Sequence, residues 1–329
     1  MSLPDSRYPV AFSVTSVGET VPCFFLLLRL TDSTVLLGLQ AALFSLVYLV
    51  STLENLTIVL LTVLDRHLHT PMYFFLRHLS FLDLCFISTT VPKSILNTLT
   101  FSDSISFLGC VCQLFLVIML EGSEVGILTA MSYDRYVAIC HPLHYEAAMS
   151  KRCCVWLMVV SWLSGVVFGI LYSAGTFSLE FCGSNRIHQF FCDVPALLML
   201  TCSEEHAAIS VNVGLGVLYG FSCLVCIMVS YVFIFSTVLK MPSREGRSKA
   251  FSTCVPHLVV VGTFLLTGAA AYLKPPSNAP PLPDLLCSLF YTVAPPALNP
   301  IIYCLRNRDI QSALSRVLNK ARRALIDRY

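Results

Sequence analysis

The chain has 329 residues, 56% of them hydrophobic and 12% charged, where soluble domains carry about 25% charged residues. A water-soluble globule of this length needs more polar surface, so integration in a membrane is the first reading. The net charge of +2 says little by itself; its distribution along the chain says more.

Residues 21–30 read VPCFFLLLRL. The run is too short to span and contains Arg29, and only the distant Arg7 precedes it, so it does not read as a signal peptide. An external segment packed on the bundle or on headgroups is expected instead. Seven later segments reach the roughly 20 apolar residues that a spanning helix needs: about 35–64, 71–92, 107–138, 153–175, 207–238, 250–273 and 284–304. Lipid demands continuous backbone satisfaction, and no alternating barrel strands are seen. The expected fold class is therefore an all-α membrane protein, a seven-transmembrane helix bundle. Residues 1–34 form an N-terminal segment, 35–304 the bundle, and 305–329 a tail. With the N-terminus outside, five Lys and Arg residues fall on external segments and sixteen on cytoplasmic ones, which sets the C-terminus inside.

Along the spans, charged residues are sparse. A charge at bilayer depth costs about 2.5 kcal/mol or more, so each is a functional hypothesis. Glu54 in the first span has no obvious partner. Asn55-Leu56-Thr57 is a formal glycosylation sequon but lies inside that span, and no usable external sequon exists in the chain. Asp83 in the second span and Glu124 in the third both fall near mid-membrane; two such carboxylates share a proton or bind a cation, unless each is simply a protonated acid bonded to a neighbouring helix. Glu121 lies one turn from Glu124 on almost the same face. It either lines an outer cavity suited to basic or hydrogen-bond-donating ligands or bonds, uncharged, to Ser123 or a carbonyl. Asp134 and Arg135, in MSYDRYVAIC, end the third span at the water boundary.

Four of the fifteen cysteines, Cys110, Cys182, Cys192 and Cys202, fall at the outer face, where disulfides persist; spacing alone leaves three pairings open. The rest read as small buried apolar residues, and zinc is not expected. In the last span Pro295, Pro296 and Pro300 remove backbone donors. Such a helix, refastened by Asn299 and water, suits a moving element, and a purely structural kink is equally open. A transporter or proton pathway using Asp83, Glu121 and Glu124 is the alternative from another class, but no internal repeat supports alternating access. No HExxH, GxSxG or P-loop points to an enzyme.

PMYFFLRHLSFLDLCF at 71–86, MSYDRYVAICHPLHY at 131–145, KAFSTC at 249–254 and LNPIIYCLRN at 298–307 together resemble the olfactory receptors, a branch of the rhodopsin-like G-protein-coupled receptors. TCVPHL and FYTVAPPALNP are similar to the subgroup numbered family 14. The resemblance implies a plasma-membrane odorant receptor that takes small hydrophobic molecules and activates a stimulatory, olfactory-type G protein with cyclic AMP as output; it implies no cofactor and no nucleic acid. It further implies that Asp134 holds Arg135 at rest and that Tyr231 and Tyr303 meet Arg135 on activation, with Tyr136, Lys249, Asn299 and Pro300 in the coupling motifs. Disulfides Cys110–Cys192 and Cys182–Cys202, a sodium-type site at Asp83 and Glu124 with Asn55 and Asn299 around it, and a ligand cavity lined by Val117, Ile118, Glu121, Gly122, Leu215, Gly268, Tyr272 and Thr292 are carried over in the same way. The segment RNRDIQSALSRVLNKARRALI then corresponds to a cytoplasmic amphipathic helix on membrane lipid.

The chain departs from that family in several places. Glu54 stands where glycine is usual, the N-terminus lacks the usual sequon, Leu265 replaces a common tyrosine, and Pro256 replaces a common serine beside His257.

Overall fold

The computed structural model describes residues 12–14, 20–27, 33–182, 185–187, 189–202, 207–272 and 281–326. Within them run seven long helices, α1 (Thr34–Leu64), α2 (Pro71–Thr100), α3 (Phe107–Cys140), α4 (Lys151–Phe177), α5 (Ala207–Lys240), α6 (Arg244–Tyr272) and α7 (Pro281–Arg306), followed by α8 (Arg308–Ile326). Six of them, α1 to α6, are long and apolar enough among the described residues to cross a membrane, and α7 packs against α1, α2 and α6.

Local sequence sets the helix starts. Pro71 opens α2, where its missing N–H costs nothing. Ser106 Oγ accepts from Gly109 N at 3.1 Å and so caps α3, and Ser150 does the same for α4 through Cys153 N. The second helix differs from the sequence expectation. It does not stop at 92 but runs through Pro92 to Thr100, ending where Phe101 turns left-handed at φ 54° and donates to Asn97 O. Lys93 is thus part of a helix. A proline removes one backbone bond and need not end a helix packed on both sides.

Large apolar residues cover the outside of the bundle, among them Leu46, Val217, Leu218 and Leu266, as a lipid-facing surface requires. Between α3 and α4 small residues allow close approach: a Cβ on Gly122 would lie 3.2 Å from Gly165 Cα, and one on Gly126 would press into Ser161.

Opposite the Asp134 end sits a feature that the helical reading did not contain. Phe24–Leu27 (β3) pairs antiparallel with Ser104–Ser106 (β4) and parallel with Arg186–Ile187 (β5), while Phe12–Val14 (β1) and Thr20–Pro22 (β2) form a separate hairpin. Phe25 and Leu27 are buried and their neighbours less so, the alternation of a strand with one face on a core. Beneath them lies a small core with Ile105, Leu114 and Ile187, distinct from the larger core along the helices. Disulfides Cys110–Cys192 and Cys182–Cys202, with Cα separations of 5.5 and 5.8 Å, tie the long α4–α5 loop to α3 and to itself.

Candidate functional site

At one end of α3, the Asp134 carboxylate is fully buried and accepts from Arg135 Nε at 3.0 Å and from Arg135 Nη2. Its other oxygen accepts from Tyr145 Oη at 2.7 Å. Burial and the adjacent carboxylate both hold the Tyr145 phenol above its ordinary range. Breaking a buried pair by removing one partner leaves an uncompensated charge, so Arg135 stays with Asp134 until something else takes its donors. Tyr136 turns away, its Oη 2.9 Å from His141 Nε2 and its ring 5.9 Å from Phe233. Lys249 is exposed.

Tyr231, by contrast, is committed elsewhere. Its Oη is 2.8 Å from His257 Nδ1, and His257 Nε2 is 3.0 Å from Leu128 O. A carbonyl only accepts, so in the neutral ring Nε2 carries the proton and Nδ1 accepts from the tyrosine. One imidazole therefore fastens α6 to α3 and to α5. Tyr303 is buried and its hydroxyl has no hydrogen-bond partner among the described residues. The bridging histidine escaped sequence reasoning, although a lone histidine within an apolar span was the available signal.

Halfway along the bundle Asn299 Nδ2 approaches both oxygens of Asp83, at 3.3 and 3.1 Å, and Glu124 Oε1 at 3.4 Å. Asn299 Oδ1 has no partner among the described residues. Pro300 lacks the N–H that would bond Pro296 O, and Asn55 Nδ2 fills that place at 2.8 Å while also donating to Ser51 O. This is the physical reason the proline-broken helix stays fastened: a side chain of α1 replaces the lost backbone donor. Glu54, on the neighbouring position, is half-buried with Oε2 unpartnered among the described residues.

The residues assigned to a ligand cavity divide. Val117 belongs to the larger core and Ile118 to the smaller, so the seam between the two lies at this point of α3. Glu121 is half-buried one turn further along, Thr292 is fully buried, and Gly268 has open space where a side chain would stand. Two assignments need correction. Gly122 faces Gly165 on α4, because α3 and α4 approach most closely there, and Leu215 is 45% exposed on the outer side of α5, as a lipid-facing leucine is. The side chain of Tyr272 lies outside the described residues.

Sequence reasoning also missed Asp193. Immediately after Cys192 the loop enters the bundle, and Asp193, 1% exposed, accepts from Tyr291 Oη of α7 and from its neighbour Val194 N. Gln113 completes the floor, accepting from Cys192 N and donating to Thr89 O. An apolar cavity of about 330 Å³ lies beside this region between α1, α2 and α7, lined by residues such as Phe44, Val91 and Val293.

A family described as olfactory receptor matches residues 44–321. Human olfactory receptor 14K1 is 68% identical over 92% of this chain and 96% of its own length, and human olfactory receptor 14L1 is 52% identical over 93% and 92%. The crystal structure of squid rhodopsin superposes with a TM-score of 0.72 over 90% of this chain and 91% of that one, at 16% identity, a likeness of fold.

Proposed function

The chain belongs to the olfactory receptor family, and on that premise we propose how this plasma-membrane odorant receptor works. Small, mostly hydrophobic molecules enter the half of the bundle away from Asp134, and the Asp134 end activates a stimulatory, olfactory-type G protein that raises cyclic AMP. The N-terminus lies outside the cell and the Asp134 end inside, as the excess of lysine and arginine there favours. Transport through Asp83, Glu121 and Glu124 gains no support from the family or the fold.

The observation that carries the coupling is the resting arrangement around Arg135. The arginine is held by its own neighbour, Tyr231 is held by His257, and the buried Tyr303 hydroxyl has no partner among the described residues. Swinging α6 away from α3 would cost the Leu128–His257–Tyr231 chain and release Tyr231 toward Arg135. A ligand has only to bind the second arrangement more tightly than the first.

Val117, Ile118, Glu121, Gly268 and Thr292 line the ligand site, with Asp193 and Tyr291 at its outer edge. A mostly apolar enclosure with a few polar anchors suits a small volatile molecule. Glu121 favours ligands that carry an amine or a hydrogen-bond donor. Asp83, Glu124 and the unpartnered Asn299 Oδ1 form an all-oxygen set that fits a hard cation such as sodium. Helix α8 lies on the inner leaflet with Ile310 and Ala313 turned to the bundle.

The test is cyclic-AMP output, alongside surface counts of N-terminally tagged protein, in cells supplied with the olfactory G protein and a varied odorant panel. A dose-dependent response that vanishes in Arg135→Ala at unchanged surface level is expected. A response that survives Arg135→Ala overturns the coupling assignment. Glu121→Gln is expected to reduce responses to amines more than to esters, and an unchanged ligand profile returns Glu121 to a structural role.

A further inference from the structure

We propose that the receptor binds an anionic phospholipid beside its coupling end, in a groove between α2 and α4, with the lipid phosphate on Arg77 and one acyl chain along α4. The proposal goes beyond odorant reception and rests on the inward placement of the Asp134 end. It begins from Arg77, six residues past the start of α2 and therefore about 9 Å along the helix at 1.5 Å per residue. Arg77 is half-buried. Its guanidinium sits 5.5 Å from the Phe74 ring, and among the described residues no carboxylate pairs with it. An arginine at such depth needs an anion or water.

Two cavities meet at this side chain. One, of about 760 Å³, has Arg77, Tyr145, Glu146 and Lys151 on its walls together with apolar residues such as Leu68 and Met149. The second, of about 480 Å³, is almost wholly apolar, with Phe81, Met158, Val159, Trp162 and Leu163 on its walls and Arg77 at its end. A chamber with polar and charged side chains on part of its wall and an apolar trough, joined at one cation, have the layout of a phospholipid. A soluble phosphate would fill only the first chamber and a sterol only the second.

Charge selects the class of lipid. Arg77 and Lys151 share the wall with a single carboxylate, Glu146, so the charged part of the chamber is net positive. The α4 N-terminus, at Ser150 and Lys151 on the same wall, adds the partial positive charge of its unpaired N–H groups. Arginine offers a phosphate two parallel donors while lysine supplies a point charge for a second anionic group. A zwitterionic headgroup is neutral overall and cannot offset this charge, whereas an anionic one brings net negative charge into the chamber. Tyr145 stands in the wall and donates to Asp134, so the bound headgroup would touch the residue that steadies the Asp134–Arg135 pair.

The chain has two tryptophans, Trp156 and Trp162, both on α4, and only Trp162 lines the apolar trough. In the Trp156→Phe receptor, reconstituted in phosphatidylcholine nanodiscs, Trp162 fluorescence reports the site. Brominated-chain phosphatidylserine, added as a minor fraction, is expected to quench it several-fold more than the same fraction of brominated phosphatidylcholine. Arg77→Gln and Lys151→Gln should each remove that excess, while Arg244→Gln, an exposed charge at the start of α6, should keep it. Equal quenching by the two lipids, an excess that survives Arg77→Gln, or the same loss in Arg244→Gln would overturn the site. Should Arg77→Gln fail to fold, Lys151→Gln carries the test, since that side chain is exposed.

Discussion

Asp134 with Arg135 and Asp83 with Glu124 are both pairs of ionisable residues inside one bundle, and they are built on opposite principles. At the boundary, unlike charges sit side by side, with a tyrosine completing the acid's bonds. At depth, two carboxyl groups approach a single amide donor, which cannot neutralise a charge on either. The first arrangement satisfies itself and is broken only by a competing partner. The second is incomplete without a proton or a cation, so it responds to what enters from solution.

The comparison can be broken most forcefully at the latch. Asp134→Asn removes the charge that holds Arg135, and a charge-assisted bond is worth about 1.5–3 kcal/mol. Basal cyclic AMP should therefore rise by about tenfold or more at equal surface level, at about 1.4 kcal/mol per decade; unchanged basal output would mean that Asp134 does not restrain Arg135. Next in size comes Asn299→Ala, which leaves both carboxylates without their shared donor. Purified receptor should lose about 1–3 kcal/mol, seen as a lower unfolding temperature, and an unshifted transition would show that the amide contributes nothing.

A smaller effect is expected from Glu124→Gln, which ends the like-charge contact while keeping an oxygen. Wild-type receptor should be stabilised by sodium over a bulky organic cation in a thermal shift assay, and Glu124→Gln should lose most of that difference. Sodium stabilising the two proteins equally would remove Glu124 from the site.

Smallest of all is the peripheral counterpart, Asp65 with the exposed Arg316, where Arg316 Nε and Nη2 reach Asp65 Oδ2 at 2.9 and 2.6 Å and so join the α1–α2 loop to α8. Arg316, aided by the His67 N–H, holds the Asp65 carboxyl below its usual range. A depressed carboxylate pKa contributes stability above its unfolded value of about 3.9, and that contribution is lost as pH falls through the folded value. Hydrogen exchange in α8 should therefore be slightly faster in Asp65→Asn than in wild type at neutral pH. The difference should close below about pH 4, and a difference that persists in acid would assign it to something other than this pair.

Much of this was legible in the residues because it follows from short-range pattern. Apolar length gave the spans, and the sparse charges Asp83, Glu124, Asp134 and Arg135 marked themselves by their cost in lipid. Asp193, His257 and Asn55 were not legible in the same way. Each acts through a partner distant in sequence: Asp193 through Tyr291, His257 through Leu128 and Tyr231, and Asn55 through Pro296. Gly122 and Leu215 were misplaced for a related reason. A position on a helix does not state its azimuth, and only packing turned Gly122 toward α4 and Leu215 outward.

The sequence by itself determined that this chain spans a membrane as helices, since hydrocarbon admits little else, and its motifs carried the resemblance to the olfactory receptors. Tertiary structure decided the rest. It set Phe24–Leu27 as the central strand over the outer core, gave the proline-broken α7 a donor from α1, and brought Arg77 to the junction of two cavities. Hydropathy is a property of each residue taken in order, whereas a hydrogen bond or a cavity wall exists only when residues far apart in the chain are brought within a few ångströms.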